Sequence, residues 1–147
     1  MKRETITSAQ NPKIKELISL QEKSRVRKEK GLFVVEGRSE FEHCLQAGFK
    51  IRTAFVCSEI IDSQWIEVVL AGSDSLVVDL PAALYQKVAY RSGTEGIVAE
   101  VECRQRSLES LALGPEPLIV VLESVEKPGN LGAVLRSADA AVNLAGL

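Results

Sequence analysis

The sequence is poor in the side chains that most often carry chemistry. It holds a single histidine, His43, among 147 residues. A Ser/His/Asp or Cys/His catalytic set needs a histidine with partners, and His43 lies in the helix-like "EFEHCLQAGF" with none beside it. It reads as a helical surface or boundary residue rather than a ligand. Cys44, Cys57 and Cys103 are widely spaced and form no CxxC pair, so neither a metal site nor a disulfide framework is expected. They read as three buried small hydrophobes. GK[ST] and GxGxxG are both missing, which removes the P-loop and the dinucleotide fingerprint. The longest apolar run, "PLIVVL", is far too short to cross a bilayer, and "MKRETITSAQNPKIK" lacks the apolar core of a signal peptide. The expected setting is cytoplasmic, with no membrane partner and no metal. Aromatic residues make up only 5% of the chain, and none is interleaved with its basic stretch. A stacking platform for single strands therefore has little support.

What the chain does have is a skewed charge. Residues 1–31 carry nine Lys/Arg against four Asp/Glu, a net of +5. The other 116 residues carry nine against sixteen, a net of −7, on a chain whose total is −2. A basic arm on an acidic body points to a polyanion partner for the arm, or to a solvated terminus. The candidate phosphate contacts are Lys13, Lys15, Lys23, Arg25, Arg27, Lys28 and Lys30, with Arg91 in "RSGTEG" behind them.

Strand-like and helix-like segments alternate. Asn11–Pro12 opens a helix whose Ile14, Leu17 and Ile18 recur at i, i+3, i+4, and which runs on into "KSRVRKEKG". "LFVVEG" reads as a short buried strand, "RSEFEHCLQAG" as a helix closed by Gly48, and "RTAFVC" as a strand. "SQWIEVVLAG" (helix), "SLVVDL" (strand), "PAALYQKVAY" (helix) and the alternating "IVAEVE" (strand) follow. This alternation predicts a layered α/β domain. The organisation read from it is a basic helical arm at 1–31, an α/β domain at 32–103, a linker at 104–117, and a new start at 118–147.

That new start opens with "LIVVLESV", which reads as a buried parallel-type strand. "PGNLG" follows, then a helix with Leu131, Val134, Leu135 and Ala138 on one face. This is about one βαβ unit, and one unit cannot cover both faces of a parallel strand. Either it docks on the first domain or the natural chain continues, and continuation is expected. Asn130 is placed to cap the helix, and Gly129 and Gly132 allow close approach and unusual dihedrals. Gly132 and Arg136 share a helix face opposite the apolar stripe. A guanidinium there can grip a phosphate or a ribose oxygen; an ordinary capped turn with an exposed arginine is the plain alternative. "GNLG" is formally a GXXG loop, but KH loops sit between two helices and this one follows a strand.

Taken together, "ITSAQNPKIKELISL", "GLFVVEGRSEFEHCLQAG", "YRSGTEGIVAEVE" and "VVLESVEKPGNLGAVLRSADAA" resemble the SpoU/TrmH family of RNA ribose 2'-O-methyltransferases. The resemblance covers essentially the whole chain. It implies a small α/β/α, ribosomal-protein-like RNA-binding domain followed by the first strand-helix unit of a SPOUT (trefoil-knot) methyltransferase domain. Asn130 and Arg136 match the motif-one pair implicated in catalysis and substrate placement, and Gly132 the glycine between them. Glu36 and Gly37 match the recurrent "EG" after the first strand. Glu123–Ser124 stands where an Asp-Asn pair is common, and Val142 where a glycine is frequent.

The resemblance further implies S-adenosylmethionine as methyl donor, RNA (ribosomal rather than transfer) as substrate, and a homodimer when full length. The family's cofactor motifs lie further along and fold into the knot. This chain is therefore expected to contain no cofactor-binding residues and to be inactive alone. A non-catalytic RNA-binding module of the same ribosomal-protein-like fold is the alternative.

Overall fold

The computed structural model describes residues 1–90, 95–104, 107–110, 113–115 and 117–145. The chain divides into two compact units, Met1–Gln105 and Arg106–Leu147.

The first unit is built on a five-stranded sheet of β1 (Lys2–Thr5), β2 (Leu32–Glu36), β3 (Ile51–Val56), β4 (Leu76–Asp79) and β5 (Ile97–Glu102). Its order is β1-β4-β3-β5-β2. β4 pairs parallel with both β1 and β3, while β5 runs antiparallel to β3 and β2. Five helices flank it: α1 (Pro12–Glu22), α2 (Ser24–Lys30), α3 (Arg38–Gln46), α4 (Ser63–Val69) and α5 (Ala82–Val88).

The period-2 alternation of the strands sorts the core into two halves. Phe55, Val78 and Val98 join Ile14 and Leu17 of α1 and Leu84, Tyr85 and Val88 of α5 on one face. Ala54, Val56, Val77, Ile97, Ala99 and Val101 join Phe41 of α3 and Ile66 of α4 on the other. The result is the expected α/β/α sandwich. Burying an aromatic such as Phe41 or Phe55, both fully enclosed, contributes about 2–3 kcal/mol each.

Several local readings hold. The Asn11 side chain accepts from the Lys13 N–H at 2.9 Å and Pro12 occupies the first turn of α1. Gly48, at φ 71, follows α3 and donates its N–H to the Leu45 carbonyl at 2.8 Å. His43 is exposed on α3.

Others are corrected. Residues 1–31 are not an arm. β1 is an edge strand held to β4, and α1 buries Ile14, Leu17 and Leu20. The expected single helix is two, because Lys23 is extended (φ −116, ψ 107). Of the cysteines only Cys57 is buried; Cys44 is half-buried and Cys103 exposed, since they stand on a helix edge and beyond the end of β5.

Among its described residues the second unit holds a 3-10 turn at Leu108–Ser110 and one helix, α6 (Pro128–Ala145). "LIVVLESV" forms no strand. Leu118, Ile119, Val120, Val121 and Leu122 are all exposed, because a strand exists only through ladder bonds to a neighbour and this unit has no other strand among its described residues. Among the described residues no helix is long and apolar enough to cross a membrane.

Candidate nucleic-acid interface

The basic residues of α1 and α2 meet three different fates. Lys13 pairs with Glu4 of β1, Lys30 with Glu16 at 3.0 Å, and Arg25 with Glu29 one turn along α2 at 2.6 Å. Exposed pairs of this kind are worth at most about 1 kcal/mol and open readily to a phosphate. Arg27 is structural in part. Its Nη1 donates to the Leu20 and Gln21 carbonyls at 2.7 and 3.0 Å, closing the end of α1 where Lys23 breaks it. Lys15, Lys23 and Lys28 are exposed and have no ion-pair partner among the described residues. They are the cations most available to a polyanion. Arg91 lies outside the described residues.

Glu36 and Gly37 shape the turn from β2 into α3. The Glu36 carboxylate accepts from the Tyr90 N–H at 2.8 Å, tying the end of α5 to the end of β2. Gly37 sits at φ 104, where an L side chain is strained, and an added Cβ would lie 2.7 Å from Glu40 Oε2. The Gly37 N–H reaches the Ile97 carbonyl at 3.1 Å, and the Arg38 N–H reaches the Glu95 carboxylate. Arg38 itself lies over the Trp65 ring at 4.4 Å and binds Glu42 at 3.0 Å.

Residues of α1, α2, β2 and α3, with Tyr90 two residues beyond α5, line a cleft of about 520 Å³. Arg27, Phe33, Glu36, Glu40 and Tyr90 are among its walls. Tyr90 is 87% exposed. Sequence reasoning passed over this residue because it looked for aromatics within the basic stretch. Tyr90 is remote in sequence and reaches the Arg27 side of the domain only through the fold.

Two charged clusters elsewhere have structural roles. Arg3 of β1 grips Asp79 through Nε (2.6 Å) and Nη2 (2.8 Å) and also meets Glu67 at 3.1 Å. The Arg3 bond, helped by Ser58, holds the Asp79 carboxyl below the usual carboxylate range, against the opposing effect of burial. Glu100 of β5, 3% exposed, is pushed the other way by burial, despite Thr53, Arg52 and Lys30 nearby. Among the described residues no His/Cys/Asp/Glu cluster could hold a metal.

In the second unit, Asn130 and Arg136 both lie on α6. Asn130 is not the N-cap. The helix starts two residues earlier, at Pro128, which needs no donor there, and the Lys127 carbonyl takes the Asn130 and Leu131 N–H groups at 3.0 and 3.4 Å. Gly129 and Gly132 consequently adopt no left-handed backbone. The place for unusual dihedrals is Ser124 instead, at φ 54. A Cβ on Gly132 would lie 3.4 Å from Arg136 Nη1, so the missing side chain lets the guanidinium lie back along the helix. Arg136 is exposed and unpaired with any carboxylate among the described residues.

The family model for the MRM3-like substrate binding domain matches residues 11–99. The chain belongs to the MRM3-like substrate-binding domain family. The SpoU/TrmH resemblance read from the sequence stands with it. Among solved structures, the chain is similar to an RNA 2'-O ribose methyltransferase at 38% identity and a TM-score of 0.71, covering 94% of this chain and 52% of that one. An AdoMet-bound rRNA methyltransferase from Sinorhizobium meliloti matches at 24% identity, with a TM-score of 0.70 over 95% of this chain and 51% of that one. The SpoU methyltransferase AviRb from Streptomyces viridochromogenes, in complex with AdoMet, matches at 22% with a TM-score of 0.75, over 89% and 50%. The latter two, at such identities, speak to the fold. The chain spans about half the length of these structures. No curated protein matches it.

The residues present do not fit a methyl donor. A pocket for S-adenosylmethionine needs enclosing walls, and the described part of the second unit is one helix, a 3-10 turn and an exposed extended run.

Proposed function

We propose that this chain is the RNA-recognition domain, with the first element of the catalytic domain, of an S-adenosylmethionine-dependent RNA ribose 2'-O-methyltransferase. The substrate is ribosomal RNA, and the whole protein is a cytoplasmic homodimer. The observation that carries the reading is the occurrence in one chain of a substrate-binding domain of the MRM3-like kind and an α6 that carries Asn130 in its first turn and Gly132 beside Arg136 on one face, that arginine having no carboxylate partner among the described residues.

Methylating a ribose 2'-hydroxyl is an in-line displacement, so placing the hydroxyl and stabilising the charge that develops on it dominate the barrier. Arg136 stays protonated and is no base. Its role is to hold the neighbouring phosphate and to stabilise negative charge on the 2'-oxygen. Asn130, in the first turn of α6, fixes the approach to that helix. The first unit supplies affinity through Lys15, Lys23 and Lys28, with the paired cations exchanging their carboxylates for phosphate.

The test is transfer of a labelled methyl group to ribosomal RNA by the full-length protein. Arg136→Ala is expected to lower the rate by about 100-fold or more with RNA affinity nearly unchanged. Arg136→Lys, which keeps the charge but loses the planar fork, should recover only part of it. A full rate in Arg136→Ala overturns the assignment.

A further inference from the structure

The cleft beside β2 carries features that phosphate binding does not use. Its volume, about 520 Å³, lies within the roughly 300–1,000 Å³ typical of small-ligand sites. Its walls combine Tyr90 with two carboxylates, Glu36 and Glu40, and one cation, Arg27, while the Phe33 ring packs against Phe49. Two carboxylates oppose a phosphate anywhere in the cleft but beside Arg27. They suit instead a ligand with an apolar flat face and N–H groups at its edge.

The arrangement is also held in place. The backbone N–H of Tyr90 is bound by the Glu36 carboxylate at 2.8 Å, and Gln21 Nε2 ties α1 to the Val88 carbonyl at 2.7 Å. The Tyr90 ring remains 87% exposed. An aromatic ring fixed by its backbone yet left open to solvent gains nothing for the fold. Arg27 spends one guanidinium nitrogen on the end of α1, and its other nitrogens have no partner among the described residues.

Resting on the reading of this unit as an RNA-binding domain, we infer that the cleft receives one unstacked RNA base, which stacks on Tyr90 while Arg27 holds the flanking phosphate. Each base has an apolar π-face, and one stacked on an aromatic ring gains substantial affinity.

The test uses the 147-residue chain and two labelled RNA hairpins followed by fluorescence anisotropy. One carries a single bulged adenosine and the other an abasic residue at the same place. The wild-type chain should bind the adenosine hairpin about tenfold more tightly. Tyr90→Ala should remove that difference while leaving the abasic hairpin unaffected, and Tyr90→Phe should retain it. Tyr90 is exposed, so these variants fold. Equal wild-type binding of both hairpins, or an equal loss on both in Tyr90→Ala, overturns the base cleft and leaves the RNA-binding reading intact. Failure of the wild-type chain to bind either hairpin at low salt overturns that reading and the base cleft with it.

Discussion

Strand β5 and the run Leu118–Leu122 are nearly interchangeable as sequences. One reads Ile97–Val98–Ala99–Glu100–Val101, the other Leu118–Ile119–Val120–Val121–Leu122. In the structure they part. β5 lies between β3 and β2, covered by helices on both faces, and its first five residues are buried. The second run forms no strand, and Val121 is 86% exposed. Apolar β-branched sequence sets a capacity for sheet, and neighbours on both edges and both faces convert it. Glu100 makes the same point in reverse. A carboxylate is poor strand material, yet it is held inside β5 by the ladder around it.

The comparison can be broken where burial differs most. Phe41→Ala should destabilise the first unit by about 3–5 kcal/mol in denaturant unfolding, because the ring is fully enclosed between α3 and the sheet. Val121→Ala in this chain should stay within about 0.5 kcal/mol of wild type. Similar losses at both sites would mean that the Leu118–Leu122 run is packed after all.

The ionised groups sharpen it next. Asp79 is held low by Arg3, so its contribution is present above the ordinary carboxylate range and is lost as pH falls through its folded value. Asp79→Asn should therefore cost stability at neutral pH and flatten the acid limb of a Tm-against-pH curve. Glu100 is raised by burial, so the sign reverses. Its stabilising contribution is full below the ordinary glutamate value and is lost as pH rises through the folded one. Glu100→Gln should raise Tm slightly at neutral pH and leave it unchanged in acid. A drop in Tm at neutral pH would show that the charge of Glu100 is needed by Arg52 and Lys30.

The smallest expected effect is at Ser124, whose left-handed backbone suits asparagine or glycine better. Ser124→Gly should alter amide exchange around 123–127 and nothing in the first unit.

Much of the fold was legible because it rests on local chemistry. The Asn11–Pro12 helix start, the alternation of β5 and the layered α/β character follow from capping and periodicity, and the α/β/α arrangement was implied by the family resemblance. β1 was not legible. "KRET" is polar throughout and becomes a strand only because β4 offers a free edge. The break at Lys23 was hidden in a run of good helix formers, and the bonds that close it, from Arg27 back to the α1 carbonyls, leave no mark in the periodicity. The start of α6 was misplaced by two residues because asparagine and proline both signal a helix start, and here proline won. At the candidate site, Arg136 and Gly132 could be related by helical spacing alone. The distinction among the seven N-terminal cations needed the positions of Glu4, Glu16 and Glu29, and Tyr90 needed the whole domain.

RNA binding by the first unit is the claim on which the rest stands. The most direct measurement is the affinity of the 147-residue chain for a ribosomal RNA hairpin as a function of salt, for wild type and for the Lys15→Ala, Lys23→Ala, Lys28→Ala triple variant. The account predicts a steep linear fall of log affinity with log salt, flatter in the variant by roughly one unit of slope per lysine. Binding that is absent, indifferent to salt, or unchanged in the variant would contradict it.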